Sequence, residues 1–246
     1  RVQLPFALRD PTLRNLSAAA LPLALMTVAG GILYPWLFLA ALARTSATNT
    51  SLLIALNPAF TVLLAPLVGE ALTRRRTAGL ALALAGAVLV ITRGDLALVA
   101  RVGFDAGDVM AVGAAATWAV FNLAARRVVG LLSPSVTNFT IFSLSACALF
   151  ALGSPGAAYA QLAAAPLSAW GGILVMAGLS SVLAGQLFLS GVRAVGVSRA
   201  VIFIYLVPVL TAVLAAVSLG ERFTAVQAAG GLAVLAGVAL ASRPSP

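Results

Sequence analysis

The chain has no histidine, no lysine, a single cysteine, and only 9% charged residues. Each shortage excludes something. Without histidine there is no His-based catalytic triad, no His-ligated metal and no HExxH helix. Gly-x-Ser-x-Gly is missing as well, so no catalytic residue, metal site or cofactor is expected and an intramembrane enzyme is set aside. The lone Cys147 rules out an internal disulfide and any Cys-rich metal centre. It sits mid-segment and reads as a small packing residue. The scarcity of charge leaves long uninterrupted apolar runs, and these do not alternate with polar residues as the strands of a membrane barrel would.

What fills the chain is apolar: 62% of its 246 residues, with a mean hydropathy of +1.09. Runs of about 20 apolar residues are what a helix needs to cross a hydrocarbon core. The fold class expected is an all-α polytopic membrane protein with eight spans, near 16–43, 46–69, 76–92, 108–126, 134–153, 167–192, 198–219 and 224–242. The lipid bilayer is therefore a partner. The net charge of +9 would suggest nucleic acid in a soluble protein, but here the arginines punctuate the apolar runs. Eleven of them (Arg1, Arg9, Arg14, Arg74, Arg75, Arg76, Arg126, Arg127, Arg193, Arg199 and Arg243) fall on the side of both termini. Four (Arg44, Arg93, Arg101 and Arg222) fall on the other. The positive-inside rule places both termini in the cytoplasm, and no nucleic acid is expected.

Two stretches repeat one another. Leu37–Gly86 and Leu187–Gly237 align so that Pro58 matches Pro208 and Thr61 matches Thr211. After a one-residue insertion, Gly69, Glu70, Thr73, Gly79 and Gly86 match Gly220, Glu221, Thr224, Gly230 and Gly237. Pro58 lies in the second span and Pro208 in the seventh, so the copies cross the membrane in opposite directions. Inverted repeats of this kind let one structure open alternately to either side, with a substrate path between the copies. The partition expected is a first repeat at 1–93, a linker at 94–106 and a second repeat at 107–246. The second has five spans and the first three, so about two further helices are expected upstream. The rival is an eight-span protein.

These residues resemble the EamA-type half of the drug/metabolite transporter superfamily. The likeness rests on Gly196-Val197-Ser198-Arg199-Ala200, Tyr205-Leu206-Val207-Pro208-Val209, Leu219-Gly220-Glu221, the Gly230–Gly237 spacing, and the entry Gly107-Asp108 with Trp118-Ala119 and Arg126-Arg127. It covers essentially the whole chain. It departs at Arg74-Arg75-Arg76, where the second copy has Ala225-Val226-Gln227. The resemblance implies ten helices in two inverted five-helix halves, and movement of small metabolites such as amino acids through a central cavity of an inner membrane.

Polar and aromatic side chains at membrane depth are the candidates for that cavity. They are Tyr34, Trp36, Asn57, Trp118, Asn122, Gln186 and Tyr205. Pro58 and Pro208 each remove a backbone donor mid-span and free a carbonyl, so they read as kinks or gates. Glu70 and Glu221 end their spans and read as structural turn elements, with Thr224-x-x-Gln227 as a capping box. No carboxylate lies deep in a span, which points to a neutral or zwitterionic substrate and away from a multidrug or cationic-compound exporter. A non-transporting membrane fragment is the remaining rival. Gly79, Ala83 and Gly86 in the third span, and Ala229, Ala233 and Gly237 in the eighth, each form a small-residue face suited to close internal packing.

Overall fold

The structure, a computed structural model, describes residues 10–100, 102, 105–153, 156, 160, 163–219 and 224–242. Glu221, with Gly220 and Arg222, lies outside them, as do Arg1, Arg9, Arg101 and Arg243. Eight helices are long and apolar enough to cross a bilayer: α1 Ala20–Leu42, α2 Ala47–Val68, α3 Arg74–Thr92, α4 Ala106–Val128, α5 Pro134–Leu152, α6 Leu167–Val195, α7 Val197–Ser218 and α8 Ala225–Ser242. Among the described residues there is no strand. The eight helices correspond to the eight expected spans. α1 starts a turn late because Pro11–Asn15 forms a separate 3₁₀ turn, capped by Asp10.

Polar caps set the helix ends. Ser46, Thr73, Asp105 and Ser133 each accept a hydrogen bond from the amide three residues on, which satisfies a donor the helix leaves open. The capping box is formed: the Thr224 amide donates to Gln227 Oε1 at 3.0 Å and the Gln227 amide to Thr224 Oγ1 at 3.2 Å. Gly69, with φ 79°, closes α2 in a left-handed turn.

Four helices are internally broken, in two equivalent pairs. α1 carries a π-helical segment at Thr27–Leu33 and α6 one at Met176–Leu183, at matching places in the two copies. α2 breaks at Ala55–Leu56 before restarting at Asn57. α7 passes through a 3₁₀ turn at Phe203–Tyr205 before restarting at Leu206. The second pair has a cause in the sequence, since Pro58 and Pro208 deny a donor to the carbonyls of Ile54 and Ile204, one turn back.

α4 runs through the middle, packed against α1 and α2 of the first copy and α6 and α7 of its own. It can do so because its inner face is narrow: Ala111, Ala114, Ala115 and Ala119 are all fully buried. α3 and α8 lie together on glycine. A Cβ on Gly79 would sit 2.6 Å from the Gly237 carbonyl oxygen, and one on Gly86 2.5 Å from that of Gly230. Gly79 is the repeat equivalent of Gly230, and Gly86 of Gly237, so the contact is reciprocal about the two-fold relating the copies. The partner face on α8 is Gly230, Val234, Gly237 and Ala241. Ala229, expected there, is exposed, because the face follows the Gly230 register. Cys147 is also exposed and is not part of the packed interior: α5 buries Asn138, Ile141 and Ser145, and Cys147 falls on another side. The first half of α6, Leu167–Val175, buries no residue.

Candidate functional site

Among the described residues, two cavities are lined by helices of both copies. The first, of about 600 Å³, is bounded by α1, α4, α5, α6 and α7. Both π-helical segments contribute to its wall, through Gly30 and Gly31 on one side and Ser181 on the other. A π turn widens the helix by one residue and disturbs its hydrogen-bond ladder, which makes it a common feature of working sites. The second cavity, of about 490 Å³, is bounded mainly by α2, α3, α7 and α8 and includes Ser51, Arg93, Thr211 and Gln227. Ile204 lines both. The broken middle of α7 is therefore part of the wall between them.

The candidate residues separate into groups. Trp118 lines the first cavity. Tyr34 packs on it with ring centroids 4.4 Å apart, and Phe121 stacks on it at 4.8 Å. Pro58, Pro208 and Tyr205 line the second cavity. Tyr205 donates its hydroxyl to the carbonyl of Ala55 at 2.9 Å. Ala55 is the repeat equivalent of Tyr205, so this bond joins the two helix breaks across the two-fold. It also satisfies a carbonyl that the break in α2 leaves without a helical donor.

Asn57 and Asn122 line neither cavity. Asn122 Nδ2 donates to Asn57 Oδ1 at 3.1 Å and to Thr61 Oγ1 at 3.0 Å, and Thr61 Oγ1 donates to the Asn57 carbonyl at 3.0 Å. All three are buried, forming a polar bridge from α2 to α4. Gln186 donates to Ser135 at 3.3 Å, linking α6 to α5. Trp36 is 61% exposed and stands on the outer surface, apart from the others.

Glu70 has a larger role than a turn. Its carboxylate accepts from the Val197 amide at 2.7 Å and the Ser198 amide at 3.0 Å, and from Arg126 Nε at 3.1 Å. Arg76 stands 3.9 Å away. Glu70 thus caps the first turn of α7, in the opposite repeat. In the first copy the equivalent turn is capped by its own Ser46. In the second, that place is Gly196, with φ 84° and no capping side chain. A Cβ there would lie 2.5 Å from Glu70 Oε1, so glycine is required by both conformation and space. Burial pushes the Glu70 carboxyl up. The adjacent Ser198 hydroxyl, the two amides and Arg126 outweigh this and hold it below its ordinary value. At the other end of the bundle Thr45 donates to Asp108 at 2.8 Å, a second tie between the copies.

Ser145, and Asn138, an intramembrane amide not chosen for the site from the sequence, are buried on one face of α5 and line the first cavity. Asn138 Nδ2 and Ser145 Oγ have no hydrogen-bond partner. Their spacing of two helical turns was the available signal. Among the described residues no cluster of His, Cys, Asp or Glu could hold a metal.

Comparison with known proteins agrees with this architecture. A solved crystal structure of a protein superimposes with a TM-score of 0.68 over 94% of this chain and 81% of its own, at 22% identity, a likeness of fold. An uncharacterized transporter of Archaeoglobus fulgidus is 30% identical over 85% of this chain and 71% of its own length. The uncharacterized transporter YyaM of Bacillus subtilis is 29% identical over 84% and 68%. A probable terminal-alkyne amino-acid exporter of Streptantibioticus cattleyicolor is 30% identical over 97% and 77%. The model of the EamA-like transporter family matches residues 2–92 and again 105–243. With two in-register matches and an inverted-repeat helix bundle to carry them, this chain belongs to the EamA-like transporter family.

Proposed function

We propose that this multi-pass membrane transporter moves small metabolites, amino acids or related compounds, out of the cell across a bacterial inner membrane by alternating access, with both termini cytoplasmic. The observation that carries the reading is the first cavity, enclosed by helices of both copies and walled by the paired π turns. A relative named as an amino-acid exporter supports the substrate class. The arginine bias supports the orientation, which puts Glu70 at the cytoplasmic end and Arg93 at the outer end. Among the described residues no carboxylate lines either cavity, which disfavours a cationic-compound exporter.

The experiment is flux of a labelled amino-acid panel in proteoliposomes, with Trp118→Ala beside the parent chain. Saturable flux, with the variant's apparent affinity weakened about tenfold by loss of the aromatic wall, is the expected result. Absence of saturable flux for every amino acid overturns the substrate class.

A further inference from the structure

Polar groups buried in an apolar interior find partners, and an exception calls for an explanation. Thr27, Thr92 and Thr137 each bond the carbonyl four residues back, and Asn122 donates to Asn57; Asn122 Oδ1, Asp108 Oδ2 and Ser198 Oγ are unpartnered as well, but these residues line neither cavity. Ser145 makes no such bond, and Asn138 donates to nothing. They are 7% and 4% exposed and line the same cavity.

Neighbouring helices leave room for both. Gly185 of α6 faces Asn138, so that a Cβ there would come 2.9 Å from Asn138 Nδ2 and 3.1 Å from Oδ1. Gly31 of α1 faces Ser145, whose hydroxyl occupies the place a Cβ would take. The remaining wall is apolar or aromatic, with Trp118, Phe121, Phe142 and Phe188. The one other hydroxyl, Ser181, is spent on the Met176 carbonyl at 3.3 Å. Among the described residues, no ionisable side chain lines the cavity.

We infer that Asn138 and Ser145 are the polar contacts of the ligand in this cavity, and that they select a net-neutral amphiphile: an apolar or aromatic body with a compact head that both accepts and donates hydrogen bonds. The inference rests on the reading of this cavity as the transport site. An amide offers both a donor and an acceptor, so it serves an uncharged head, or the paired charges of a zwitterion, equally well. A net charge has nothing to pair with here, and desolvating it unpaired is costly.

Four probes share one benzyl body and differ in charge: N-acetylphenylalaninamide (uncharged), phenylalanine (zwitterionic), phenylalaninol (cationic) and N-acetylphenylalanine (anionic). Their binding to the purified full chain is measured by calorimetry, beside Asn138→Leu and Ser145→Ala. The first two probes are expected to bind at least about tenfold more tightly than the charged pair. Each substitution is expected to weaken them about tenfold while the melting temperature holds. Ser145→Ala removes one oxygen, so it carries the test if the leucine variant does not fold. Charged probes binding as tightly as neutral ones, no binding by any probe, or neutral binding unmoved in folded variants would each overturn the assignment. Binding of the uncharged amide that Asn138→Leu abolishes, without amino-acid flux, would uphold the assignment and overturn only the amino-acid reading.

Discussion

At the residue scale, Glu70 shows how one carboxylate can hold two halves of a molecule together. It is 11% exposed on its side chain and replaces the missing cap of a helix that starts at glycine. Hydrogen bonds to a charged group contribute about 1.5–3 kcal/mol each, so Glu70→Gln, which keeps one acceptor and loses the charge, is expected to cost about 2 kcal/mol. The pH dependence follows from the direction of the shift. The folded carboxyl lies below its ordinary value, so its contribution is complete above about pH 4.3 and is lost as pH falls through the lowered value. Thermal melts in detergent from neutral to acid pH should show the parent losing stability at the acid end. Glu70→Gln should start lower and lose less there. Equal melting temperatures at neutral pH would remove the clasp from the account of stability.

At the element scale, how much was legible depended on whether the cause was local. Eight spans, the inverted repeat and the glycine faces could be read because apolar length, matched positions and small residues are themselves the cause of those features. The breaks at Ala55–Leu56 and Phe203–Tyr205 were half legible, because proline marks the missing donor but not which group replaces it. The break also frees the Ala55 carbonyl, next to the Ile54 carbonyl that Pro58 leaves open, and its donor, the Tyr205 hydroxyl, comes from the other copy. The π turns of α1 and α6 left only a partial signal: Gly30-Gly31 with Pro35 just beyond in α1, and Gly178 with Ser180-Ser181 in α6, mark a weakened ladder but not a π turn. Trp36 and Trp118 likewise look alike in sequence, and packing alone turns one outward and the other to the cavity. Two substitutions test the elements. Gly86→Leu, placed where Gly230 offers no space, should cost about 3 kcal/mol by overpacking, read as a fall in melting temperature. Pro208→Ala restores the donor to Ile204 and should straighten α7. Transport is expected to drop about tenfold while helical content is unchanged, and unaltered flux would reduce the kink to a packing detail.

At the scale of the whole molecule, the two copies are tied at both ends by unlike means. Glu70 clasps the start of α7 at one end, and Thr45 holds Asp108 at the other. In the alternating access proposed above the copies part at one end while they stay joined at the other, so each tie is expected to break once per cycle. Among the described residues, the Glu70 tie combines two amides and a guanidinium on one carboxylate, and the Thr45 tie sets a hydroxyl bond beside the contacts of Gly107 with the Arg44–Thr45 backbone and of Gly94 with Val226. In a Cys147→Ser background, the cysteine pair Glu70→Cys with Ser198→Cys and the pair Thr45→Cys with Asp108→Cys give two disulfide-locked forms. Both locks are expected to stop flux reversibly on reduction. The extent to which each lock forms reports the population closed at that end, and ligand is expected to shift the two in opposite directions. Flux that persists through either lock would show that the copies do not part there, and the transport cycle would have to run by motion within one copy.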